Sequence, residues 1–272
     1  MKKRIVTVFT NDTEISNETV KLLCEKLEKN GFTVNGEYSP ASELIICNGG
    51  DGAFLSSVHR CKFPPVPFVG INTGHLGFFQ EINPDQTDVF IENYKSGKYH
   101  IQRLKTVKTD IILDDRTDEL IGLNEIVIKG SGSYSIHLGI SIGSSFIQRF
   151  SGDGILVATP AGSTAYNYSL GGSISDPRIN LLQVTPIAPM NTTAYRSFTS
   201  SILLPSDLSL GVTPECKGDN VVICADGIEH KYKGINNINI YFADTIINLI
   251  RFESYDFWDK VKNKFLDDRG RI

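Results

Sequence analysis

The chain has 272 residues, of which 40% are hydrophobic and 21% charged, with a net charge of −4. That length supports a sizeable core and two domains, and the balance is that of an ordinary globular protein. No Lys/Arg block, no basic–aromatic stripe and no run near the roughly 20 apolar residues of a bilayer span is present, so neither nucleic acid nor membrane is an expected partner.

The start, Met1-Lys2-Lys3-Arg4, is basic like that of a signal peptide, but the apolar stretch behind it stops at Asn11-Asp12. It is too short for a secretory segment and predicts a buried strand over 5–10. A helix is predicted over 16–30, with Val20, Leu23, Cys24 and Leu27 at helical spacing and Gly31 as its stop. Strands follow over 32–34, 44–47 and 66–71, with helix-like segments between. The alternation predicts an open, mostly parallel α/β sheet over residues 1–100, with ligands beyond the carboxyl ends of the strands. Two glycine-rich turns fall at such ends, Asn48-Gly49-Gly50-Asp51-Gly52 and Asn72-Thr73-Gly74-His75-Leu76-Gly77-Phe78.

The first turn carries the sharper signal. Gly49, Gly50 and Gly52 let the backbone turn tightly and approach a ligand, and the following helix start offers free N–H groups and a positive dipole end to phosphate. Into that seat the chain puts a carboxylate, Asp51. Beside a phosphate it is repulsive unless it accepts a proton or holds a metal, which points to phosphoryl chemistry. The plain alternative is that Asp51 caps the helix, contributing about 0.5–2 kcal/mol.

Past residue 100 the texture changes to short strands over 106–113, 120–129, 134–142, 145–150 and 155–159. More are predicted over 200–204, 208–212, 221–225, 238–242 and 246–252. Turn signals such as Gly130-Ser131-Gly132 and Asp226-Gly227 separate them. This predicts an antiparallel β-sandwich-like domain over 101–252, interrupted by a helix running from Ser163-Thr164 through Leu170. The tail over 253–272 predicts an amphipathic helix packing back on the first domain, with Phe257, Trp258, Val261, Phe265 and Leu266 inward. The five cysteines lack paired spacing and read as reduced, buried thiols of a cytoplasmic protein. The five dispersed histidines offer no metal pair, and His75 reads as structural.

The other dense stretch is Ser151-Gly152-Asp153-Gly154, leading into Thr159-Pro160-Ala161-Gly162-Ser163-Thr164-Ala165-Tyr166. It is again strand, turn and helix start, and it lacks the lysine of a P-loop. A strand–turn–helix cap accounts for it alone; two such turns, each with Gly-Asp-Gly, favour a paired phosphate and ribose site.

Gly49-Gly50-Asp51-Gly52, Ile71-Asn72-Thr73-Gly74-His75-Leu76-Gly77-Phe78, Asn124-Glu125, Asp153-Gly154 and Thr159–Tyr166 together resemble the NAD kinase family, in the family's order and across nearly the whole chain. The Gly-Gly-Asp-Gly turn is shared with lipid kinases and phosphofructokinases; the ensemble is not. The resemblance implies transfer of the γ-phosphoryl of ATP, or of polyphosphate, to the adenosine 2′-hydroxyl of NAD, with Asp51 as proton acceptor. It implies nucleotide contacts at Gly49, Gly50, Gly52, Asn72, Gly74, Leu76, Gly77, Phe78 and Phe79, with the Phe78 ring beside a base. It implies NAD contacts at Asn124, Glu125, Ser151, Asp153, Ala161, Ser163, Thr164, Ala165, Tyr166, Asn167, Ser169, Ala188 and Asp226.

Mg²⁺ is expected mainly on the ATP phosphates, with no protein metal ligand assigned. A homotetramer or dimer with its site near a subunit boundary is expected too. Ala161, Ser151, Ile228 and Met190 depart from the family pattern of Thr or Ser, Arg or Lys, Gln, and His. Two rivals are a lipid kinase, which would lack Thr159–Tyr166, and a non-catalytic nucleotide sensor, which has no need of Asp51.

Overall fold

The computed structural model describes residues 4–132, 134–216, 218 and 220–266. The chain forms two units, one from Met1–Arg103 with Ile246–Ile272, the other from Leu104–Thr245. In chain order the first contributes β1 (Arg4–Thr10), α1 (Glu14–Lys29), β2 (Phe32–Asn35), β3 (Leu44–Gly49), α2 (Asp51–Arg60), β4 (Phe68–Asn72), β5 (Gln80–Ile82) and α3 (Thr87–Ser96). Strand β6 (His100–Ile112) leads into the second, which continues with β7 (Thr117–Gly122), β8 (Glu125–Gly130), β9 (Ile136–Ile142), β10 (Ser145–Gly152) and β11 (Gly154–Ala158). After the one-turn helix α4 (Tyr166–Ser169) come β12 (Leu181–Ile187), β13 (Ile202–Pro205), β14 (Leu210–Pro214), β15 (Asn220–Ala225) and β16 (Ile228–Lys233). Strand β17 (Asn237–Arg251) returns to the first unit, which ends in α5 (Phe257–Phe265).

In the first unit β2, β1, β3 and β4 lie side by side, all parallel, and β17 joins beside β4 through Leu249 and Phe68. Strand β3 is buried along its whole length, as its unbroken apolar run requires in a sheet covered on both faces. Helix α1 begins at Thr13, whose hydroxyl accepts the Ser16 N–H at 3.3 Å, and its Leu23 and Leu27 enter a core with Val6, Leu44, Ile46 and Phe90. Among the described residues no helix is long and apolar enough to cross a membrane.

The second unit stacks two antiparallel layers. One runs β13-β12-β11-β8-β15-β16; the other holds β10, β9, β14 and the first part of β17, with β6 and β7. Inward residues of both, among them Ile128, Val157 and Ile223 on one side and Leu138, Val212 and Ile240 on the other, form one core. An α/β domain with a parallel sheet and an antiparallel sandwich domain are therefore as the sequence predicts.

Several elements differ from expectation. The strand predicted over 120–129 is two strands, because the peptide N–H groups at 123–125 are drawn to a carboxylate on the chain. The strands predicted over 238–242 and 246–252 are one. Strands β12 and β16 escape the sequence reading: the first contains Pro186, the second (Ile-Glu-His-Lys-Tyr-Lys) is mostly exposed and polar. The helix predicted through Leu170 is a 3₁₀ turn, Ala161–Thr164, and then the single turn α4, because Ala165 sits at φ −92°, ψ −132°, outside helical space. On α5, Phe257 and Val261 are buried, whereas Trp258 and Leu266 point outward; a buried stripe at i, i+4 leaves both off the packed face. The cysteines are free, as expected, but Cys216 is exposed and Cys24 half-buried.

Candidate active site

The carboxyl ends of β1, β3 and β4 carry the loop after Thr10, the Gly49–Gly52 turn and the Asn72–Phe79 segment. Gly49 stands at φ +153°, where a Cβ would fall 2.6 Å from that of Ala53. Gly50 is the N-cap of α2 and Asp51 its first residue, yet Asp51 does not cap its own helix. Its carboxylate turns outward, Oδ2 accepting the Phe78 N–H at 2.9 Å and Oδ1 the Phe79 N–H at 3.0 Å. Gly77 lies flat against it; a Cβ there would meet Asp51 Cγ at 2.8 Å.

The peptide that grips Asp51 is itself fixed. Arg251, almost fully buried, donates to the Phe78 carbonyl at 2.9 Å, to Gln102 Oε1 at 2.8 Å and to Glu81 Oε2 at 2.9 Å. Phe79 stacks on Phe54 at 4.8 Å, and the Asn72 side chain accepts the Gly74 N–H at 3.2 Å. Gly52, Gly74, His75 and Leu76 are exposed at the turn. The Phe78 ring is packed against Phe257 and Phe265 of α5, with centroids at 5.8 and 6.1 Å. Two lysines of α5 also reach this loop. Lys264 Nζ is 3.6 Å from Asp51 Oδ2, and Lys260 donates to the Gln80 carbonyl. Burial, then the Arg251 charge, lowers the Lys260 ammonium to about 8, against the pull of Glu81 and Asp51.

In the second unit Asp226 organises the other constellation. Held at φ +48°, it accepts N–H groups from Leu123 (2.7 Å), Asn124 (2.7 Å) and Glu125 (3.1 Å). This ends β7 at Gly122 and starts β8 at Glu125, leaving Asn124 between the strands. Thr159 ties the next turn to them. Its N–H donates to Asn124 O at 2.8 Å, and its hydroxyl donates to Leu123 O at 2.6 Å while accepting the Gly162 N–H at 3.2 Å. Asn124 Oδ1 and Glu125 Oε2 are buried without a partner. Such orphaned atoms are costly and mark where a ligand or water belongs.

Other residues named from the sequence hold the turn together. The Ser163 hydroxyl donates to Ser175 O and accepts its N–H; the buried Asn167 amide donates to Ser163 O and Ser173 O and accepts from Thr185. Thr164 is buried, Ala161 and Ala165 are half-buried, and Tyr166 and Ser169 are exposed. Ser151, Asp153 and Ala188 gather elsewhere: the Asp153 N–H donates to Ile187 O at 3.0 Å, and Ser151 O accepts the Met190 N–H at 2.8 Å. They lie at the opposite end of β11 from Thr159, six residues or roughly 20 Å of extended chain away. Among the interactions around Asp51, Arg251, Lys260 and Lys264 were not legible. For the two lysines the signal is their spacing in the tail, visible only once the tail is known to cover the loop; Arg251, at the end of β17, leaves no such mark.

Burial, with the Asp226 charge adding, pushes the Glu125 carboxyl up to about 8. The folded chain therefore keeps a proton that the unfolded chain releases near 4.5. The resulting stabilisation is complete below that value and is lost as pH rises through 8. The Tm of the ligand-free protein is expected to fall between pH 5 and pH 8 in wild type and to fall less in Glu125→Gln. Equal slopes in the two proteins would contradict the buried, protonated carboxyl.

A glycine turn with a fixed carboxylate at the edge of a parallel sheet in the first unit, and an N–H-rich turn beside orphaned polar atoms in the second, are features expected of a nucleotide kinase. Residues 33–99 match the ATP-NAD kinase N-terminal domain and residues 123–251 the ATP-NAD kinase C-terminal domain. The chain is 38% identical to the NAD kinase of Finegoldia magna over 270 residues, covering 97% of this chain and 98% of that protein. It is 32% identical to the NAD kinase of Latilactobacillus sakei, covering 98% and 99%. Its fold is similar to that of yeast NADH kinase solved with NADH (TM-score 0.85, 19% identity, 99% and 89% covered). It is also similar to that of the Archaeoglobus fulgidus NAD kinase solved with ATP (0.76, 21%, 96% and 98%). The chain belongs to the NAD kinase family and is an enzyme of that activity.

Proposed function

We propose that the enzyme transfers the γ-phosphoryl of ATP to the adenosine 2′-hydroxyl of NAD, giving NADP and ADP, with Asp51 taking the hydroxyl proton. The 2′-oxygen forms the new bond to phosphorus as the bond to the β–γ bridging oxygen breaks. Polyphosphate would donate by the same displacement. The observation that carries the reading is the Asp51 carboxylate, held in one orientation by two peptide N–H groups. In a loose transition state the hydroxyl proton leaves late, so a fixed carboxylate orients the oxygen and accepts the proton at the end.

NAD is held by Asn124 and Glu125 through their unpartnered oxygens and by the backbone of the Thr159–Thr164 turn. Asp153 and Ser151 make further contacts. Among the described residues no group of three or more His, Cys, Asp or Glu could hold a metal. Mg²⁺ would arrive with ATP, bound mainly through the phosphate oxygens. The assembly is a homotetramer or dimer, as the family resemblance implies; light scattering measures it.

The test is incubation with NAD, ATP and MgCl₂, with the product read by a dehydrogenase that accepts only 2′-phosphorylated dinucleotide. Turnover supports the reading. Binding of NAD without turnover on ATP or polyphosphate would make the chain a sensor.

A further inference from the structure

Helix α5 is more than packing on the first unit. Asp256 caps it, accepting the Asp259 N–H at 2.9 Å. Phe257, Lys260, Val261, Lys264 and Phe265 recur at three- and four-residue spacing and so share one face. Phe257 and Phe265 sit on the Phe78 ring, Val261 is buried, and Lys260 bonds the Gln80 carbonyl and lies 4.0 Å from Glu81. Together these contacts fix the rotation of the helix, and that rotation aims Lys264 at Asp51.

The Lys264–Asp51 pair is a salt bridge without a hydrogen bond. At 3.6 Å it is beyond hydrogen-bond length, while Phe78 and Phe79 already supply short N–H bonds to the carboxylate. Lys264 lies 5.0 Å from the Phe78 ring centroid and is one-third exposed, so its ammonium keeps N–H groups for an incoming anion. The Gly-Gly-Asp-Gly turn has no lysine of its own to meet the charge that phosphoryl transfer develops.

We propose that Lys264 is a further catalytic residue, its ammonium contacting the transferring phosphoryl oxygens beside Asp51. This rests on the assignment of Asp51 to the reacting hydroxyl. During transfer the phosphoryl group carries its charge on its non-bridging oxygens, and an ammonium fixed beside the proton acceptor stabilises it there without reorganising. Lys264 gives up no proton and forms no bond.

The test compares Lys264→Met, Lys264→Arg and, as a control on the exposed side of the helix, Lys262→Met. Each is also built in the Asp51→Asn background. Lys264→Met is expected to lower kcat about 10²-fold, the effect of deleting one transition-state donor. The Kd for NAD and the Tm should stay within error of wild type. Lys264→Arg should recover part of the rate, and Lys262→Met should behave as wild type.

The loss from Lys264→Met should persist in the Asp51→Asn background. If instead it vanishes there, Lys264 acts only through Asp51 and the phosphoryl contact is overturned; wild-type kcat in Lys264→Met overturns it outright. A wild-type rate for Asp51→Asn alone would remove the proton-acceptor assignment and leave the single-variant result for Lys264 standing, so the two failures are distinguishable.

Discussion

Asp51→Asn is expected to lower kcat by 10²–10⁴-fold, the usual contribution of a positioned general base, while NAD binds with unchanged Kd. The asparagine keeps the shape but loses the proton acceptor. It also loses part of the grip on its loop. The carboxylate receives N–H groups on both oxygens, from Phe78 and Phe79. An amide has one oxygen, so its NH₂ must face one of those donors. Leaving a partly buried N–H unsatisfied costs about 1–3 kcal/mol, and the variant should melt lower for that reason alone.

Rate and stability must therefore be measured together, at a temperature well below both transitions. Gly77→Ala separates position from charge. It keeps the carboxylate but drives a methyl to within 2.8 Å of its Cγ, and the carboxylate must move. Since misplacement by about 1 Å can cost 10²-fold, Gly77→Ala should lose kcat without losing NAD affinity. A loss of NAD binding at unchanged kcat in Asp51→Asn would refute the role.

The difference between what sequence foretold and what it hid follows the range of the forces involved. The Gly49–Gly52 turn was legible because glycine conformations, a helix start and an apolar strand are local and leave local marks. The break before Glu125 was not legible. Gly122 and Asn124 weaken a strand over Leu120–Lys129, but what ends it is a carboxylate about a hundred residues away, Asp226, which takes three of its N–H groups. The same holds for the tail. Its amphipathic period was visible, but not which apolar side chains would win the packed face, and so neither the outward Trp258 nor the aim of Lys264 could be read. The bonds of Asn167 were not legible either: its NH₂ donates to Ser163 O and Ser173 O and its oxygen accepts from Thr185 on β12, a strand unread in the sequence.

Gly162→Ala is expected to be a strongly damaging small substitution in the second unit. A Cβ at this position would run into the Asn124 carbonyl oxygen and come within 2.7 Å of its Cα. Those atoms are backbone, and they cannot swing aside as a side-chain tip would. They are pinned from two directions, by the Asp226 carboxylate on the Asn124 N–H and by the Thr159 N–H on the Asn124 carbonyl. Relief must come from moving one turn away from the other. Overpacking of this kind costs about 1–3 kcal/mol in forgiving cores, and here the upper end is expected.

At roughly 2–4 °C per kcal/mol for a unit of this size, the Tm should fall by about 6–12 °C. The functional cost should exceed the thermal one. The turn carries the N–H groups proposed for NAD, and its displacement also shifts Asn124 and Glu125, whose buried oxygens have no partner. The KM for NAD is therefore expected to rise at least tenfold, with the KM for ATP little changed. Gly36→Ala, where a Cβ meets nothing within 4 Å, serves as the control. A Gly162→Ala enzyme with wild-type Tm and wild-type KM for NAD would mean that the turn and the Asn124 peptide are free to separate, and that their contact plays no part in holding the dinucleotide.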